Sequence, residues 1–312
     1  MLRIMSLIKL LITGLVLSGI GIFYGPLYDL ALISIRDPLY SHVLLIPLVS
    51  LYIFWTARKS IFSEVDSPAL VGIVLLSIGL MGVFIQKYQF PNLSPNDALS
   101  LSISCMIFWI FGGYLLVCGR RSFKKALFPL LFLLFLIPFP SLLLDSVVSV
   151  LQVGSVWSTM TILRALNVPA YVEGVFISLP GVTIEVAKEC SGIRSGVALM
   201  ILCIVAGHLY LKSNRRRVIF ILTAIPITIF KNGMRIATLS ILGTYVDIHY
   251  LTNSALHSFG GKPFFLVAIL MMAPIFWLLK HSEIKAEKNA SLAKIKQPLN
   301  RKMGISKDVQ II

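Results

Sequence analysis

The amino-acid sequence predicts an all-α polytopic membrane protein with about eight transmembrane helices, a small extracytoplasmic amphipathic helix and a β-hairpin. Three observations predict this fold class. Hydrophobic residues make up 57% of the 312 residues, charged residues only 13%, and the mean hydropathy is +0.89, whereas an average soluble domain has about 25% charged residues. Apolar runs of about 20 residues, the length that crosses a bilayer, recur along the chain. Most Lys and Arg residues fall between these runs.

Eight apolar runs are candidate transmembrane helices. They are residues 10–24, 40–57, 69–86, 98–118, 126–144, 190–211, 218–245 and 263–280. The second run is short and Pro138 and Pro140 interrupt the fifth, so seven helices also fit the sequence. Arg3 and Lys9 precede the first run, as in a signal peptide, but no small-residue cleavage site follows Tyr24. We therefore expect the first run to be a retained anchor.

The distribution of basic residues predicts the orientation of the chain. With the N-terminus in the cytoplasm, 20 of the 28 Lys and Arg residues fall on the cytoplasmic side, five on the outer side and three within the runs. This asymmetry follows the positive-inside rule, so we expect a multi-pass protein of the cell (inner or plasma) membrane with both termini cytoplasmic. Topology then explains the net charge of +15, and we expect no nucleic-acid partner.

The sequence divides into four parts. These are N-terminal transmembrane helices, about five, in 1–144; an extracytoplasmic segment in 145–189; about three catalytic transmembrane helices in 190–280; and a basic cytoplasmic tail in 281–312. Polar residues recur every three or four positions from Asp145 to Thr159, which predicts an amphipathic helix lying on the outer surface. We expect the tail from Ser282 onward to be loose, because it is polar and basic.

The second half of the extracytoplasmic segment predicts a small β-hairpin. Residues 168–187 are rich in β-branched and aromatic side chains, and Glu173-Gly174 and Pro180-Gly181 are typical turn pairs. We expect this hairpin to pack on the outer mouth of the helical bundle.

The run ECSGIRS, residues 189–195, contains the first candidate site. If Ser191 begins the sixth helix, the Cys190 thiol lies at the helix N-terminus, where backbone N–H groups and the helix dipole favour a reactive thiolate. Lone cysteines more often fill small apolar gaps, and both interpretations stay open for Cys190. The apolar interpretation fits the three cysteines within apolar runs, Cys105, Cys118 and Cys203.

Charged residues inside the seventh run form the second candidate site. Arg235 lies 18 residues after Arg217, which is about 27 Å along a helix, so we expect it near the outer boundary at the level of Cys190. Its alternative role is snorkelling to the interface. We expect Asn232, on the same helix face, to orient the guanidinium. For Lys231, snorkelling or pairing with a carboxylate is as plausible as function.

His257, in the predicted outer loop 252–261, is the third candidate. A histidine can act as base and acid near neutral pH, although loop histidines are often only solvated. A Cys–His pair supplies an activated nucleophile and a proton shuttle. A guanidinium such as Arg235 stabilises the oxyanion that forms when the Cys190 thiolate attacks an amide carbonyl. Together the three residues predict acyl transfer through a thioester, with a peptide bond as substrate.

The sequence lacks the motifs of several other kinds of enzyme and binding site. The sequence has no Gly-x-Ser-x-Gly elbow, no Cys-x-x-Cys pair and no phosphate-binding Gly-rich loop. We therefore expect no metal and no cofactor. The alternative to an enzyme is a polytopic transporter or lipid-carrier flippase, because Lys231 and Arg235 lie within a run; against it, the sequence has no repeated halves.

At these residues the sequence resembles the exosortase/archaeosortase family of membrane cysteine transpeptidases. The likeness covers about residues 185–265. It is carried by ECSGIRS, by Ala224-Ile225-Pro226 with Asn232-x-x-Arg235, by His257 with Gly260-Gly261, and by the basic run Asn214-Arg215-Arg216-Arg217.

The resemblance implies a role for each matching residue. Cys190 would be the catalytic nucleophile, and Arg235 would stabilise the oxyanion or the thiolate. His257 would be the third catalytic residue, a place that some relatives give to arginine. The supporting residues would be Glu189, Ser191, Arg194 and Asn232.

The resemblance also implies a substrate class. The substrates would be secreted proteins with a tripartite C-terminal sorting signal of the PEP-CTERM kind: a short motif such as Pro-Glu-Pro, a transmembrane helix and a basic end. The enzyme would cut this signal at the outer membrane face and hold the protein as a thioester. It would then pass the protein to a membrane lipid or glycan acceptor. Its partners would be these secreted proteins, the acceptor and the bilayer.

Overall fold

The computed structural model describes residues 2–63, 65–66, 69–89, 92–252 and 261–302. The predicted all-α polytopic class is confirmed, since helices make up most of these ranges and one small sheet accompanies them. The chain forms two compact units, Met1–Val147 and Val148–Ile312.

The described helices number eleven apart from short 3₁₀ turns. They are α1 (Leu2–Ile22), α2 (Tyr24–Arg36), α3 (Leu45–Phe62), α4 (Val71–Gln89), α5 (Pro95–Lys125), α6 (Leu127–Phe132), α7 (Ser141–Ala165), α8 (Ile193–Tyr210), α9 (Asn214–Tyr245), α10 (His249–Thr252) and α11 (Gly261–Lys302).

The predicted count of eight transmembrane helices is too high. Six stretches of the described chain are long and apolar enough to cross a membrane, or seven if α1 and α2 count as one bent span. The first predicted run contains a break with a bend of 74°, and Pro26, which has no backbone N–H, lies in the first turn of α2. The third run forms α4, whose apolar part Val71–Gln86 is too short.

The fifth predicted run, 126–144, is not a continuous helix. After α6 a 3₁₀ turn, Leu133–Leu136, leads to Ile137, which is extended. A residue before proline avoids the helical region, and Pro138 and Pro140 supply no N–H for a helix ladder. The next long helix is therefore α7, which begins only at Ser141.

The helix α7 corrects the prediction of an amphipathic helix on the outer surface. It is 25 residues long and is one of the candidate membrane spans. Its polar residues Ser155, Ser158 and Thr159 are buried, and the Thr159 hydroxyl lies 3.3 Å from the carbonyl oxygen of Gly233 in α9. The second half of the polar stripe therefore faces a neighbouring helix, as small polar residues often do between membrane helices, whereas Asp145 and Ser149 in its first half are exposed.

Three antiparallel strands follow α7. The strands β1 (Tyr171–Glu173), β2 (Phe176–Leu179) and β3 (Val182–Glu185) pair in the order β1-β2-β3. The predicted hairpin is thus confirmed, with both predicted turns present and one strand more than a simple hairpin has. Residues of α7, the sheet and α9 form one core cluster: Val156, Met160, Leu163, Ile177, Leu179, Val186, Ile236 and Ala237.

The helices α8, α9 and α11 pack around a second cluster. It contains Leu199, Cys203, Leu211, Phe220, Ala224, Ile227, Ala268 and Met272. The helix α11 continues through Lys302, so the prediction of a loose chain from Ser282 onward is wrong for residues 282–302. Ala, Glu, Lys and Leu are common in this stretch, and all four favour helix.

Glu283 of α11 caps the N-terminus of α9. Its side chain is buried, and its carboxylate accepts hydrogen bonds from the backbone N–H groups of Lys212 at 3.1 Å and Ser213 at 2.8 Å. Arg216 and Lys280 lie 3.7 and 3.8 Å from the same carboxylate. The Ser213 side chain makes no capping bond, and Glu283 instead accepts from the N–H groups of this N-cap residue and of the residue before it, as the glutamate of a capping box does at an N-cap.

We expect Glu283→Ala to lower the free energy of unfolding by about 2–3 kcal/mol, because two backbone N–H groups lose a charged acceptor. Glu287→Ala is the matched control. Glu287 pairs with Lys212 at an exposed position and raises the pKa of Lys212, and such pairs contribute less than about 1 kcal/mol. Denaturant unfolding of both variants in detergent measures the difference. Equal losses would contradict the capping role.

Candidate functional site

Cys190 lies in the connection between β3 and α8. It ends a 3₁₀ turn, Lys188–Cys190, and the helix α8 begins at Ile193 rather than at the predicted Ser191. Gly192, the N-cap, has φ 83° and ψ 7°. This left-handed conformation turns the chain just before the helix. The Cys190 side chain is half-buried, whereas the other three cysteines are buried.

Asn232 of α9 fixes the backbone at Cys190. Its amide nitrogen donates to the carbonyl oxygen of Cys190 at 2.7 Å and to the Ser155 hydroxyl of α7 at 2.9 Å. Asn232 is fully buried. Both amide hydrogens are used in this way, and the predicted role of Asn232 in orienting the Arg235 guanidinium stays a prediction. The amide joins α7, α9 and the start of α8 at one point.

Gly192 allows this close approach. A Cβ atom at residue 192 would lie 2.9 Å from Cγ of Asn232, closer than side chains pack. Residue 192 therefore needs to be glycine for two reasons, its positive φ and the position of the Asn232 amide next to it.

Lys231, next to Asn232, is buried and donates a hydrogen bond to the Ser195 hydroxyl of α8. The Ser195 hydroxyl in turn lies 3.1 Å from the Gly192 carbonyl oxygen. Snorkelling does not explain a lysine that is only 2% exposed. Within the ranges that the structure describes, Lys231 forms no ion pair with a carboxylate. The ammonium group therefore positions the Ser195 hydroxyl in the first turn of α8.

We expect Lys231→Met to preserve folding and to lower the activity of the Cys190 site. Burying an ammonium group costs free energy, and an apolar side chain of similar length removes that cost, so the melting temperature should stay equal or rise. Activity should fall because Ser195, and with it the turn at Gly192, loses its donor. Parallel melting and activity measurements separate the two effects. A large drop in melting temperature would show that Lys231 is structural.

A cavity of about 120 Å³ lies beside Cys190. Ile184, Glu185 and Val186 line it on the sheet side, and Ile236, Leu239 and Ser240 line it on the α9 side. Cys190 itself is part of the wall, so a molecule that enters the cavity comes next to the thiol.

The remaining predicted site residues differ in how deeply they are buried. Arg235 is half-buried on α9, one turn after Lys231 and next to the cavity residue Ile236. Ser191 is fully buried, and its hydroxyl has no hydrogen-bond partner among the described residues. Glu189 and Arg194 are exposed. His257 lies outside the described residues.

The structure adds residues that the sequence patterns did not assign to the site. Gly192 and Ser195 belong to the ECSGIRS run, but their contacts with Asn232 and Lys231 depend on helix packing. Ser155 was interpreted as part of a water-facing stripe and is instead a partner of Asn232. Ser240 follows Arg235 by five residues and carries no local motif.

The fold and this site define a multi-pass membrane protein with a cysteine held at the start of a membrane helix. The family model described as transmembrane exosortase (EpsH) matches residues 34–274. The chain therefore belongs to the transmembrane exosortase family, and the match extends well beyond the motif region 185–265. No curated protein and no solved structure matches the chain.

Proposed function

We propose that the protein is a membrane cysteine transpeptidase that cleaves the C-terminal sorting signal of secreted proteins. The observation that carries the proposal is the 2.7 Å hydrogen bond from the Asn232 amide to the Cys190 carbonyl oxygen. This bond connects the two motifs of the family resemblance, which are 42 residues apart in the chain. It holds the cysteine next to a cavity and to the helix that carries Arg235.

The proposed reaction has two acyl-transfer steps. The Cys190 thiolate attacks the carbonyl carbon of the scissile peptide bond, and Arg235 stabilises the oxyanion that forms. The C–N bond then breaks, and the leaving amine takes a proton from His257. In the second step, a nucleophilic group of the acceptor gives a proton back to His257 and attacks the thioester carbonyl. The acceptor forms the new bond to the acyl group, and Cys190 leaves as the thiolate.

The proposed setting follows from the charge distribution and from the family. Both termini lie in the cytoplasm and the site opens at the outer face of the cell membrane, because basic residues are concentrated in the opposite connections and in the tail. The substrates carry a short motif such as Pro-Glu-Pro, a transmembrane helix and a basic end. The acceptor is a membrane lipid or a glycan. Residues 190–280 form the catalytic part in this proposal.

Trapping the acyl-enzyme tests the proposal. The substrate is a tagged reporter that ends in Pro-Glu-Pro, an apolar helix of about 20 residues and a cluster of basic residues. We expect a covalent adduct between reporter and enzyme that maps to Cys190 by peptide mass spectrometry and is released by neutral hydroxylamine. Processing of the reporter without such an adduct, or an adduct at another residue, would contradict the proposed mechanism.

A further inference from the structure

The cavity beside Cys190 has room only for a small side chain. Its volume is about 120 Å³, below the roughly 150 Å³ of an engineered cavity that binds benzene. An aromatic side chain is therefore too large for it. A side chain of three or four non-hydrogen atoms, such as that of valine or threonine, fits the space.

The cavity is mostly apolar. Val186 on the sheet side and Ile236 and Leu239 on α9 are each less than one tenth exposed. A methyl group that enters between them is removed from water, which favours binding of a side chain with an aliphatic part.

Ser240 adds a buried polar group to this wall, to which the exposed Glu185 also belongs. It is fully buried, and its hydroxyl has no hydrogen-bond partner within the described part of the chain. A serine in a helix commonly bonds the carbonyl four residues earlier, as Thr238 does with Met234 in the same helix. A buried hydroxyl without a partner costs free energy, which a ligand group that can donate or accept a hydrogen bond recovers.

Ser240 and Ile236 lie four residues apart, so they occupy one face of α9. The polar group and the apolar wall therefore belong to the same cavity, next to the Cys190 thiol. A side chain that combines a methyl group with a hydroxyl group matches both.

We propose that this cavity binds the side chain of the substrate residue whose carbonyl Cys190 attacks, and that it selects threonine at that position. The threonine methyl packs against Ile236 and Leu239, and its hydroxyl pairs with Ser240. This inference rests on the proposed function, because it assigns the cavity to that reaction.

Alkylation of the Cys190 thiol in the full-length protein in detergent tests the preference for threonine without a protein substrate. Three acetylated peptidyl chloromethyl ketones are compared, with threonine, valine or phenylalanine at the reacting carbonyl. The Cys190 thiolate forms a bond to the methylene carbon and chloride leaves, so intact-mass spectrometry reports the rate of labelling. We expect the threonine reagent to react roughly tenfold faster than the valine reagent, because one additional buried hydrogen bond forms. We expect negligible labelling by the phenylalanine reagent.

Variants test separately how the apolar cavity wall and the Ser240 hydroxyl contribute to the selection. Ser240→Ala should abolish the preference for threonine or reverse it in favour of valine, because the threonine hydroxyl then has no partner. Ser158→Ala is the matched control, because Ser158 is also buried with no partner for its hydroxyl among the described residues and does not line the cavity; it should keep the preference. Leu239→Ala enlarges the cavity and should admit the phenylalanine reagent.

The outcomes distinguish the two proposals. Equal rates for threonine and valine in the unmodified protein, or loss of the preference in Ser158→Ala as well, would overturn the threonine assignment and leave Cys190 as the nucleophile. If none of the three reagents labels Cys190, the proposed function fails and this inference fails with it. If Ser240→Ala does not fold, the labelling rates of the threonine and valine reagents in the unmodified protein still test the threonine assignment.

Discussion

Cys190→Ala is expected to reduce processing of the tagged reporter by about a thousandfold or more, down to background. Removal of a nucleophile eliminates the covalent route, and the remaining groups of such a site cannot replace it. The half-buried position of Cys190 predicts only a small effect on folding. Reporter cleavage in membranes, followed by the size of the tagged product, measures the activity, and the amount of protein extracted in detergent measures folding.

Cys203→Ala is the matched control for this substitution. Cys203 lies in the core cluster of α8, α9 and α11 and is almost completely buried. Its replacement should lower stability modestly and leave processing unchanged, because the thiol packs as a small apolar group. Processing that survives in Cys190→Ala and is lost in Cys203→Ala would reverse the assignment of the nucleophile.

Gly192→Ala is expected to lower processing by about a hundredfold. The substitution places a Cβ atom 2.9 Å from Cγ of Asn232, so the amide has to move away from the Cys190 carbonyl oxygen. A shift of about 1 Å in a catalytic group can cost that factor. The φ of 83° at residue 192 adds a backbone penalty of roughly 1–2 kcal/mol for alanine.

Gly181→Ala controls for the backbone penalty alone. Gly181 also has φ 83°, but nothing lies within 4 Å of a Cβ atom added there. The melting temperature should therefore fall in both variants and fall further in Gly192→Ala, whereas only Gly192→Ala should lose processing. If Gly181→Ala lowers processing as strongly, the contact between Gly192 and Asn232 is not what the reaction depends on.

The fold class was predictable because lipid imposes long apolar helices, and five of the predicted runs correspond to helices of that kind. The errors occur where composition and local geometry disagree. Residues 126–144 are apolar enough for a span, but Pro138 and Pro140 prevent a continuous helix. The helix α7 is periodic in polar residues, yet periodicity alone does not tell whether a polar face meets water or another helix. Ser155 and Thr159 face α9.

The sequence indicated residues of the candidate site, but it did not indicate the contacts between them. Cys190 and Asn232 belong to recognisable motifs, but the bond between them depends on how α9 packs against the start of α8. An asparagine amide can donate and accept at the same time, so sequence spacing indicated Arg235 as a partner but did not reveal the bond to the Cys190 carbonyl oxygen. Ser240 was not predictable, because an unpaired hydroxyl in an apolar wall becomes visible only in three dimensions.

The contacts of Glu283 with the start of α9 are expected to couple the tilt of two membrane helices. Glu283 lies 22 residues after Gly261 in α11, about 33 Å along the helix, close to the hydrocarbon thickness of about 30 Å. A single helix adjusts to a thinner bilayer by tilting independently. Because Glu283 joins α11 to the start of α9, we expect a thinner bilayer to tilt both helices together, and α9 carries Asn232.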